Sequence, residues 1–510
     1  MNIVALFLKA AQRYPQRIAL VEQGRKVRYH ELAEGVVQTA TYFRQKGIRP
    51  GDRVLVFVPM SIDLYRTVLA LFYLGASAVF LDEWVNKSRM EQCCRQAQCQ
   101  AFIGIWKARV FAWFSAPLRQ IPIRLGPKYP VKKQDRIEMY AARESDTALI
   151  TFTTGSTGQP KAANRTHGFL KAQYDALIDK IQPHPEDVDM PVLPIVLLCN
   201  LGTGGTSLIA DFKASKPQTL APQRILQQME QTPVNRITAS PFFVLRLAEH
   251  LLANQQSMPH LEKVFTGGAP EFPAEAARLQ QAFPNARNEV VYGSTEAEPI
   301  SAVEAGPLAN SRQEMLQSGL LVGRPYHQTE VKIVRMHAGP LRLEEHGWDK
   351  LECSVGEPGE IVVAGAHVLE HYFNSPGAME QSKIDENGKL WHRTGDAGRF
   401  SEDGYLYLLG RCSQMIPHQD NYLAPFLFEN FLKEKEGVVA GTILEWNQQR
   451  SLVFEAENKE LTSELKAQLK RDLPEVECII EVDKMPLDPR HFSKIDYNRL
   501  KNQLQNQSQE

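Results

Sequence analysis

Strand-like runs alternate with helix-like stretches along the first 130 residues of this chain. Residues 54–58, 78–81 and 101–105 have the apolar character of buried strands, and residues 62–74 and 87–98 between them have a helical pattern. Strands that alternate with helices form a mainly parallel sheet, because each crossover carries a helix that covers one face. The sequence therefore predicts an α/β fold built on doubly wound sheets.

The pattern changes in the last third of the chain. Residues 359–363 and 404–408 form short alternating strands, which indicate a small antiparallel, barrel-like piece. The final hundred residues have strands and helices of their own, enough for a small α+β domain. Because 510 residues exceed one ordinary core, we predict a large domain over residues 1–410 and a smaller, mobile C-terminal domain over residues 411–510.

The strongest local signal is the segment 151–161, Thr-Phe-Thr-Thr-Gly-Ser-Thr-Gly-Gln-Pro-Lys. A loop rich in glycine, serine and threonine turns tightly and aims backbone N–H groups and hydroxyls at phosphate oxygens, and a lysine adds a point charge. It is not a Walker A loop, which requires Gly, four residues and then Gly-Lys-Ser/Thr. The alternative is an exposed loop with an ordinary lysine.

This segment resembles the phosphate loop of the adenylate-forming superfamily, which contains acyl-CoA synthetases, luciferases and adenylation domains. Thr154 stands in place of the usual serine, and Ala162 follows the lysine in place of glycine. Six further segments resemble motifs of the same superfamily in the same order, namely residues 266–270 (TGGAP), 292–296 (YGSTE), 359–360 (GE), 393–396 (RTGD), 410–411 (GR) and 493–495 (SKI).

The resemblance implies a site for ATP and Mg²⁺. Glu296 is expected to hold Mg²⁺, Thr295 to contact the α-phosphate and Lys494 to act in adenylation. Tyr292 is expected to pack on adenine, and Asp396 and Arg411 to reach the ribose. The residues that the resemblance assigns to nucleotide binding are Thr153, Thr154, Gly155, Ser156, Thr157, Gly158, Lys161, Gly268, Ala269, Pro270, Tyr292, Gly293, Ser294, Asp396 and Arg411.

Each of these matches has an ordinary alternative when taken alone. Tyr292 has the character of a core aromatic, Glu296 of a solvated acid and Lys494 of a surface lysine. Seven matches in one order, spread from residue 151 to residue 494, favour the family over seven independent coincidences. The implied reaction joins a carboxylic acid to AMP and releases pyrophosphate.

Three activities remain open at this stage. The first is a fatty acyl-CoA synthetase, which transfers the acyl group to CoA. The second is a β-lactone synthetase, in which a 3-hydroxyl closes on its own acyl carbon. Four segments are similar to the olefin-pathway β-lactone synthetases and their fatty-acid ligase neighbours, namely residues 101–108, 194–201, 292–300 and 485–494. The third is a nucleotide-binding relative without catalysis.

The expected hinge departs from the family pattern. Ser413 and Gln414 stand where the family usually has Lys-Asp, which weakens the inference about the second step, in which the acyl group leaves AMP.

The substrate acid is expected to be fatty. Residues 195–198 and 242–245 are apolar and lie where the family builds its acyl pocket, although plain core packing is the alternative. No acidic residue stands out as a partner for an amino-acid substrate.

Composition and charge exclude some classes of partner and leave others open. A net charge of −1 gives no general bias toward nucleic acid. The longest apolar stretch, residues 67–81, is too short to cross a bilayer, and the apolar start of the chain is expected to form an amphipathic helix, so only peripheral membrane contact stays open. Seven cysteines without zinc-like spacing predict reduced thiols and a cytoplasmic protein.

Overall fold

The computed structural model describes residues 1–81, 87–128, 137–154, 160–213, 216–419, 421–458, 462–488 and 492–507. The first stretch of the chain contains α1 (Val4–Arg13), β1 (Ile18–Glu22), β2 (Arg25–Arg28), α2 (Tyr29–Gln45), β3 (Arg53–Phe57), α3 (Ile62–Leu74), β4 (Ser77–Phe80), α4 (Lys87–Ala97), β5 (Ala101–Gly104), α5 (Trp106–Ala112), α6 (Ala116–Arg119), β6 (Ile123–Leu125), β7 (Thr147–Thr154), β8 (Pro160–Thr166) and α7 (His167–Ile181).

The middle stretch contains β9 (Val188–Pro191), α8 (Pro194–Thr203), β10 (Thr206–Ile209), α9 (Pro222–Gln231), β11 (Arg236–Ala239), α10 (Pro241–Ala253), β12 (Lys263–Gly267), α11 (Pro273–Ala282), β13 (Arg287–Ser294), β14 (Ala297–Glu304), α12 (Ala305–Asn310), α13 (Arg312–Ser318), β15 (Leu320–Pro325), β16 (Glu330–Val334), α14 (Leu343–His346), α15 (Trp348–Leu351), β17 (Gly359–Ala364), α16 (Pro376–Ser382), β18 (Lys383–Glu386), β19 (Lys389–Phe400) and β20 (Leu406–Arg411).

The last stretch begins with a 3₁₀ turn (Cys412–Gln414) and contains β21 (Ile416–His418), β22 (Asn421–Leu423), α17 (Pro425–Lys433), β23 (Val438–Trp446), β24 (Gln449–Ala456), α18 (Thr462–Asp472), β25 (Cys478–Glu481) and α19 (Tyr497–Gln507).

The first of two large sheets has six strands, in the order β6-β5-β3-β4-β7-β8. All neighbours in it are parallel except β7 and β8, which form a hairpin. Helices α2 and α3 pack on one face against Val54 and Val56, and α4 and α6 pack on the other against Leu55. Because both faces are covered, these strands are continuous apolar runs, as predicted.

A second, longer sheet carries the rest of the large body. Its strands from β13 through β12, β11, β9 and β10 to β1 are parallel, with α9–α11 on one face and α7 and α8 on the other. Strands β14 to β20 extend it as antiparallel neighbours. The predicted α/β class, with doubly wound sheets and an antiparallel piece, is confirmed.

A buried ion-pair network ties α8 to this sheet. The guanidinium of Arg236 on β11 is almost completely buried and contacts Asp187 at 2.7 Å and Asp189 at 3.2 Å. The side chain of Asn200 on α8 donates to Asp189 at 2.7 Å and accepts from Arg236. A buried charge is tolerated only where partners of this kind satisfy it, so the network fixes the position of α8.

The C-terminal elements build a separate small core around a three-stranded sheet of β23, β24 and β25. Their contacts with the large body include two aromatic pairs. The ring of Phe426 lies 6.0 Å from that of Phe272, next to an ion pair of 2.5 Å between Lys433 and Glu275. The ring of Phe492 lies 5.6 Å from that of Phe242 on α10.

Both ends of the described chain are helical. The amphipathic helix expected at the start is confirmed as α1, which buries Val4, Phe7, Ala10 and Ala11. At the other end, α19 buries Leu500 and Leu504 and continues to Gln507. Among the described residues, no helix is both long and apolar enough to cross a membrane.

Candidate active site

The turn of the β13–β14 hairpin consists of Thr295 and Glu296, flanked by the pair Ser294 and Ala297. A side chain at Gly293 would place its Cβ 2.9 Å from the carbonyl oxygen of Ala297, so only glycine fits this close approach. Arg165 donates to the carbonyl of Thr295 at 3.0 Å. The predicted segment 292–296 is therefore a tight, braced hairpin tip.

The carboxylate of Glu296 is buried and held from two directions. Thr153, near the end of β7, donates its hydroxyl to Oε1 at 3.1 Å. Tyr372 donates its phenol hydroxyl to the same oxygen at 3.0 Å. The strand that leads into the predicted phosphate loop and the hairpin tip thus meet at one carboxylate.

The predicted phosphate loop is described only at its two ends. The backbone of Thr154 pairs with that of Pro160 across the β7–β8 hairpin. The predicted binding residues Gly155, Ser156, Thr157 and Gly158 lie outside the described residues.

Two lysines lie beside the Glu296 carboxylate. Lys161 on β8 donates to Ser382 at 2.7 Å, and its Nζ lies 5.8 Å from the ring centroid of Tyr372. Lys383 donates to the carbonyl of Leu369 and lies 5.9 Å from the same ring. Burial lowers the pKa of Lys161 and lowers the pKa of Lys383 to about 7, while the charge of Glu296 opposes both shifts. Burial therefore disfavours the protonated form of both lysines, and the Glu296 carboxylate favours it.

Tyr292, Asp396 and Arg411 form a second connected group. Tyr292 donates its hydroxyl to Asp396 Oδ2 at 2.8 Å, and Arg411 lies 3.1 Å from Oδ1. The register of β19 and β20 sets Asp396 opposite Arg411. The charge of Asp396 raises the pKa of Arg411, and burial with the nearby carboxylate raises that of Tyr292. A carboxylate has about four lone-pair positions, so Asp396 can accept further donors.

The segment Gly268, Ala269 and Pro270 follows β12 directly and lies next to the Tyr292 strand. Gly267 pairs with Val291, which places the start of this segment beside Tyr292. Gly268 has a φ of +86°, in the left-handed region that favours glycine. The predicted adenine loop and the predicted adenine-packing tyrosine are thus neighbours.

Lys494 lies in the C-terminal segment that packs on α10. Its carbonyl accepts from the Asp488 amide at 2.7 Å, and the next residue, Ile495, bridges to Leu487. Phe492, two residues earlier, makes the ring contact with Phe242. The segment that carries Lys494 therefore touches the large body.

Sequence reasoning missed three residues of this site: Tyr372, Lys383 and Arg165. Tyr372 lies in the irregular segment after β17, where no periodicity marks it. That segment returns to the hairpin through a bridge between Val368 and Ala297, and the amide of Leu369 donates to the carbonyl of Glu296 at 2.6 Å. Only the long-range pairing shows that these residues belong to the site.

Comparisons with known proteins agree with this geometry. Residues 7–373 match the family model described as AMP-binding enzyme. The chain is 30% identical over 448 residues to an olefin beta-lactone synthetase of Stenotrophomonas maltophilia (strain K279a), which covers 81% of this chain and 80% of the relative. It is 23% identical over 434 residues to 4-coumarate-CoA ligase 1 of Narcissus pseudonarcissus, with 79% and 74% covered.

Two solved structures share the fold. The amide bond synthetase McbA from Marinactinospora thermotolerans has a TM-score of 0.80 at 21% identity and covers 98% of this chain and 99% of its own. The O-succinylbenzoate Coenzyme A synthetase MenE from Bacillus subtilis, in complex with ATP and magnesium ion, has a TM-score of 0.79 at 22% identity, with 97% and 99% covered. With the family match over most of its length, the chain belongs to the AMP-binding enzymes, which form acyl adenylates.

Proposed function

We propose that this enzyme uses ATP and Mg²⁺ to adenylate a fatty carboxylic acid. The observation that carries the proposal is that Thr153 and Tyr372 both donate to the buried carboxylate of Glu296. Glu296 lies on the same hairpin as Tyr292, whose hydroxyl donates to Asp396. The end of β7 and the β13–β14 hairpin thus supply residues that are expected to bind the phosphates, the metal and the nucleoside. A purely structural set of residues has no reason to converge in this way.

ATP is the first substrate in this proposal. Tyr292 and the segment from Gly268 to Pro270 would hold the adenine, and Asp396 with Arg411 would hold the ribose hydroxyls. Asp396 keeps lone pairs for those hydroxyls beside the donors it already accepts. Thr153, Lys161 and the loop that follows β7 would contact the phosphates.

The donor set also fits Mg²⁺. Among the described residues no group of three or more His, Cys, Asp or Glu side chains could hold a metal ion, but Mg²⁺ usually binds through one or two carboxylates together with substrate phosphates. Glu296 supplies one such carboxylate, already oriented by two hydroxyls. When bound, the ion would offset the negative charge that spreads over the α-phosphate.

The reaction requires two anions to meet. An oxygen of the substrate carboxylate forms a bond to the α-phosphorus, and the bond from that phosphorus to pyrophosphate breaks. Little covalent work falls to the protein, so positioning and opposing charge dominate. In the proposal Lys161 and Lys494 supply that charge, one from each domain.

The fatty character of the acid is supported by an apolar cavity beside α8. The cavity is narrow, with a volume of about 40 Å³, and Ile195 and Leu198 of α8 form part of its wall. The other lining residues come from the start of the chain and α1, from α3, from α7 and from α8, and most of them are apolar. They are Ile3, Leu6, Phe7, Leu69, Phe72, Leu170, Gln173, Tyr174, Leu177 and Cys199. An alkyl chain suits such walls. Phe243 and Val244, in contrast, are buried in the sheet core.

For the second step we propose two candidates. Closure of a β-lactone, in which the 3-hydroxyl oxygen bonds to the acyl carbon, releases its proton and expels AMP, is favoured by the 30% identity to an olefin beta-lactone synthetase. Transfer to the CoA thiol is favoured by the likeness to a 4-coumarate-CoA ligase. Residues 411–510 would rotate relative to residues 1–410 about the turn at Cys412–Gln414 between the two steps.

Product analysis tests the proposal directly. The purified protein is given ATP, Mg²⁺ and a panel of plain and 3-hydroxy fatty acids, with and without CoA, and the products are identified by mass spectrometry. Pyrophosphate with AMP establishes adenylation, and β-lactone or acyl-CoA identifies the second step. Nucleotide binding without pyrophosphate release would instead support the non-catalytic relative.

The sparse cysteines make the cytoplasm our proposed compartment.

A further inference from the structure

Helix α5 has its amphipathic pattern reversed. It buries the small side chains of Ala108 and Ala112 in the core beneath the six-stranded sheet, while Trp106, Val110 and Phe111 point away from that core and are exposed. An ordinary surface helix does the opposite, because burial of large apolar side chains is what holds it in place. The exposed face of α5 is therefore unexplained by the folding of this chain alone.

The exposed apolar surface continues beyond the helix. Trp113 and Phe114 follow α5 directly and are 67% and 72% exposed, and Trp106 is also 67% exposed. We call the five residues Trp106, Val110, Phe111, Trp113 and Phe114 the aromatic patch. Isolated exposed apolar residues are normal, but five large ones within nine positions mark an interaction surface.

The chain around the aromatic patch is strongly cationic. Residues 92–134 contain no aspartate or glutamate, whereas the whole chain has a net charge of −1. The same residues contain eight cations: Arg95, Lys107, Arg109, Arg119, Arg124, Lys128, Lys132 and Lys133. Lys107 lies on the patch itself, with its Nζ 5.7 Å from the ring centroid of Trp106. Glu91 on α4 contacts this region by accepting a hydrogen bond from the hydroxyl of Ser115 at 3.1 Å.

Aromatic rings next to lysine and arginine side chains match the surface of an anionic membrane. Tryptophan and phenylalanine insert at the level of the headgroups, and lysine and arginine pair with the lipid phosphates. A second copy of this chain is a poor occupant, because a symmetric contact would set one cationic patch against another. We propose that the aromatic patch and its cations, chiefly Lys107 and Arg109, dock the enzyme on an anionic lipid surface.

The test is flotation of the full-length protein with vesicles, which needs neither ATP nor turnover. We expect binding to vesicles of equal parts phosphatidylcholine and phosphatidylglycerol, release as salt is raised, and little binding to phosphatidylcholine alone. The double variant Trp113→Ser/Phe114→Ser and the double variant Lys107→Glu/Arg109→Glu should each lower the vesicle-bound fraction about tenfold. All four residues are exposed, so the variants should fold normally.

A matched control uses exposed apolar residues elsewhere. The variant Leu316→Ser/Val355→Ser changes two exposed side chains outside the patch and should float like the wild type. Equal flotation of the patch variants and the wild type would overturn the proposal, as would failure of the wild type to bind anionic vesicles. A third result would also overturn the proposal. If the wild type forms dimers but does not bind vesicles, and a patch variant stays monomeric, the aromatic patch serves self-association.

Discussion

The phenol hydroxyl of Tyr372 and Oε1 of Glu296 lie 3.0 Å apart, although the two residues are 76 positions apart in the chain. Thr153 donates to the same oxygen from another element. Two donors on one oxygen set the orientation of the carboxylate before any ligand arrives, as outer hydrogen bonds do for metal ligands in general. In our proposal Tyr372 is thus a positioning residue for Mg²⁺.

Replacing Tyr372 with Phe should weaken the apparent affinity for Mg²⁺ by about tenfold or more, because one of the two donors to Glu296 is lost while the ring still fills its place. The measurement is pyrophosphate release as a function of Mg²⁺ concentration. Tyr326→Phe is the matched control, since that hydroxyl donates instead to Asp179 at 2.9 Å. An unchanged Mg²⁺ dependence in Tyr372→Phe would remove the positioning role.

Replacing Lys494 with Ala should lower the rate of pyrophosphate release by about 10²–10³-fold, which is typical for loss of one group that stabilises transition-state charge. ATP affinity, measured by calorimetry, should change little because most nucleotide contacts come from the large body. Lys501→Ala, at an exposed lysine of α19, serves as the control. Full activity in Lys494→Ala would show that adenylation uses another cation.

Replacing Leu198 with Trp should reduce activity toward long-chain acids and leave short acids nearly unaffected. The larger side chain fills part of the cavity that Leu198 lines on α8, so that a long alkyl chain no longer fits while a short one does; the added bulk should also lower stability by about 1–3 kcal/mol. The measurement is kcat/KM over a series of chain lengths. An equal loss for short and long acids would mean that the cavity does not hold the acyl chain.

Replacing Glu429 with Gln should change how stability depends on pH. Burial raises the pKa of Glu429 from 4.5 to about 7, despite hydrogen bonds from Tyr497 and Thr442. Between these two values the folded chain keeps a proton that the unfolded chain releases, so stability falls as pH rises, and the cost is complete above about pH 7. The variant stays neutral and lacks this loss, which is on the order of 3 kcal/mol.

Thermal unfolding of the wild type and of Glu429→Gln near pH 5 and pH 8 measures this difference. The variant should gain stability relative to the wild type on going to the higher pH. Glu445→Gln, at an exposed position of β23, should show no such relative gain. Parallel pH profiles for Glu429→Gln and the wild type would contradict the prediction.

Much of the fold was predictable because buried positions require apolar residues, and their spacing can be read from the sequence. Strands β3, β4 and β5 are covered on both faces, so their apolar runs are continuous and their observed ends lie within one residue of the predicted ones. The helix α3 matched its predicted bounds of residues 62–74, since Ser61 caps its start and Gly75 ends it in the left-handed conformation.

The site was less predictable, for a physical reason. Asp396 and Arg411 lie in recognisable motifs, yet their contact depends on the register of β19 and β20, which no local pattern encodes. Tyr372 was missed because its role arises only when the segment after β17 returns to the hairpin tip. Local chemistry marks the residues that react with a ligand, whereas the residues that orient them are marked only by tertiary pairing.

The Arg236 network has a consequence for engineering this enzyme. Asn200 belongs both to the helix that lines the apolar cavity and to the partners of a buried guanidinium. A graft that imports α8 from a relative without an equivalent amide would leave Arg236 paired with Asp187 and Asp189 but would remove a buried hydrogen-bond partner from both Arg236 and Asp189, at a cost of about 1–3 kcal/mol. If the cavity holds the acyl chain as proposed, substitutions of single cavity residues would change substrate preference with less loss of stability than exchange of the whole helix.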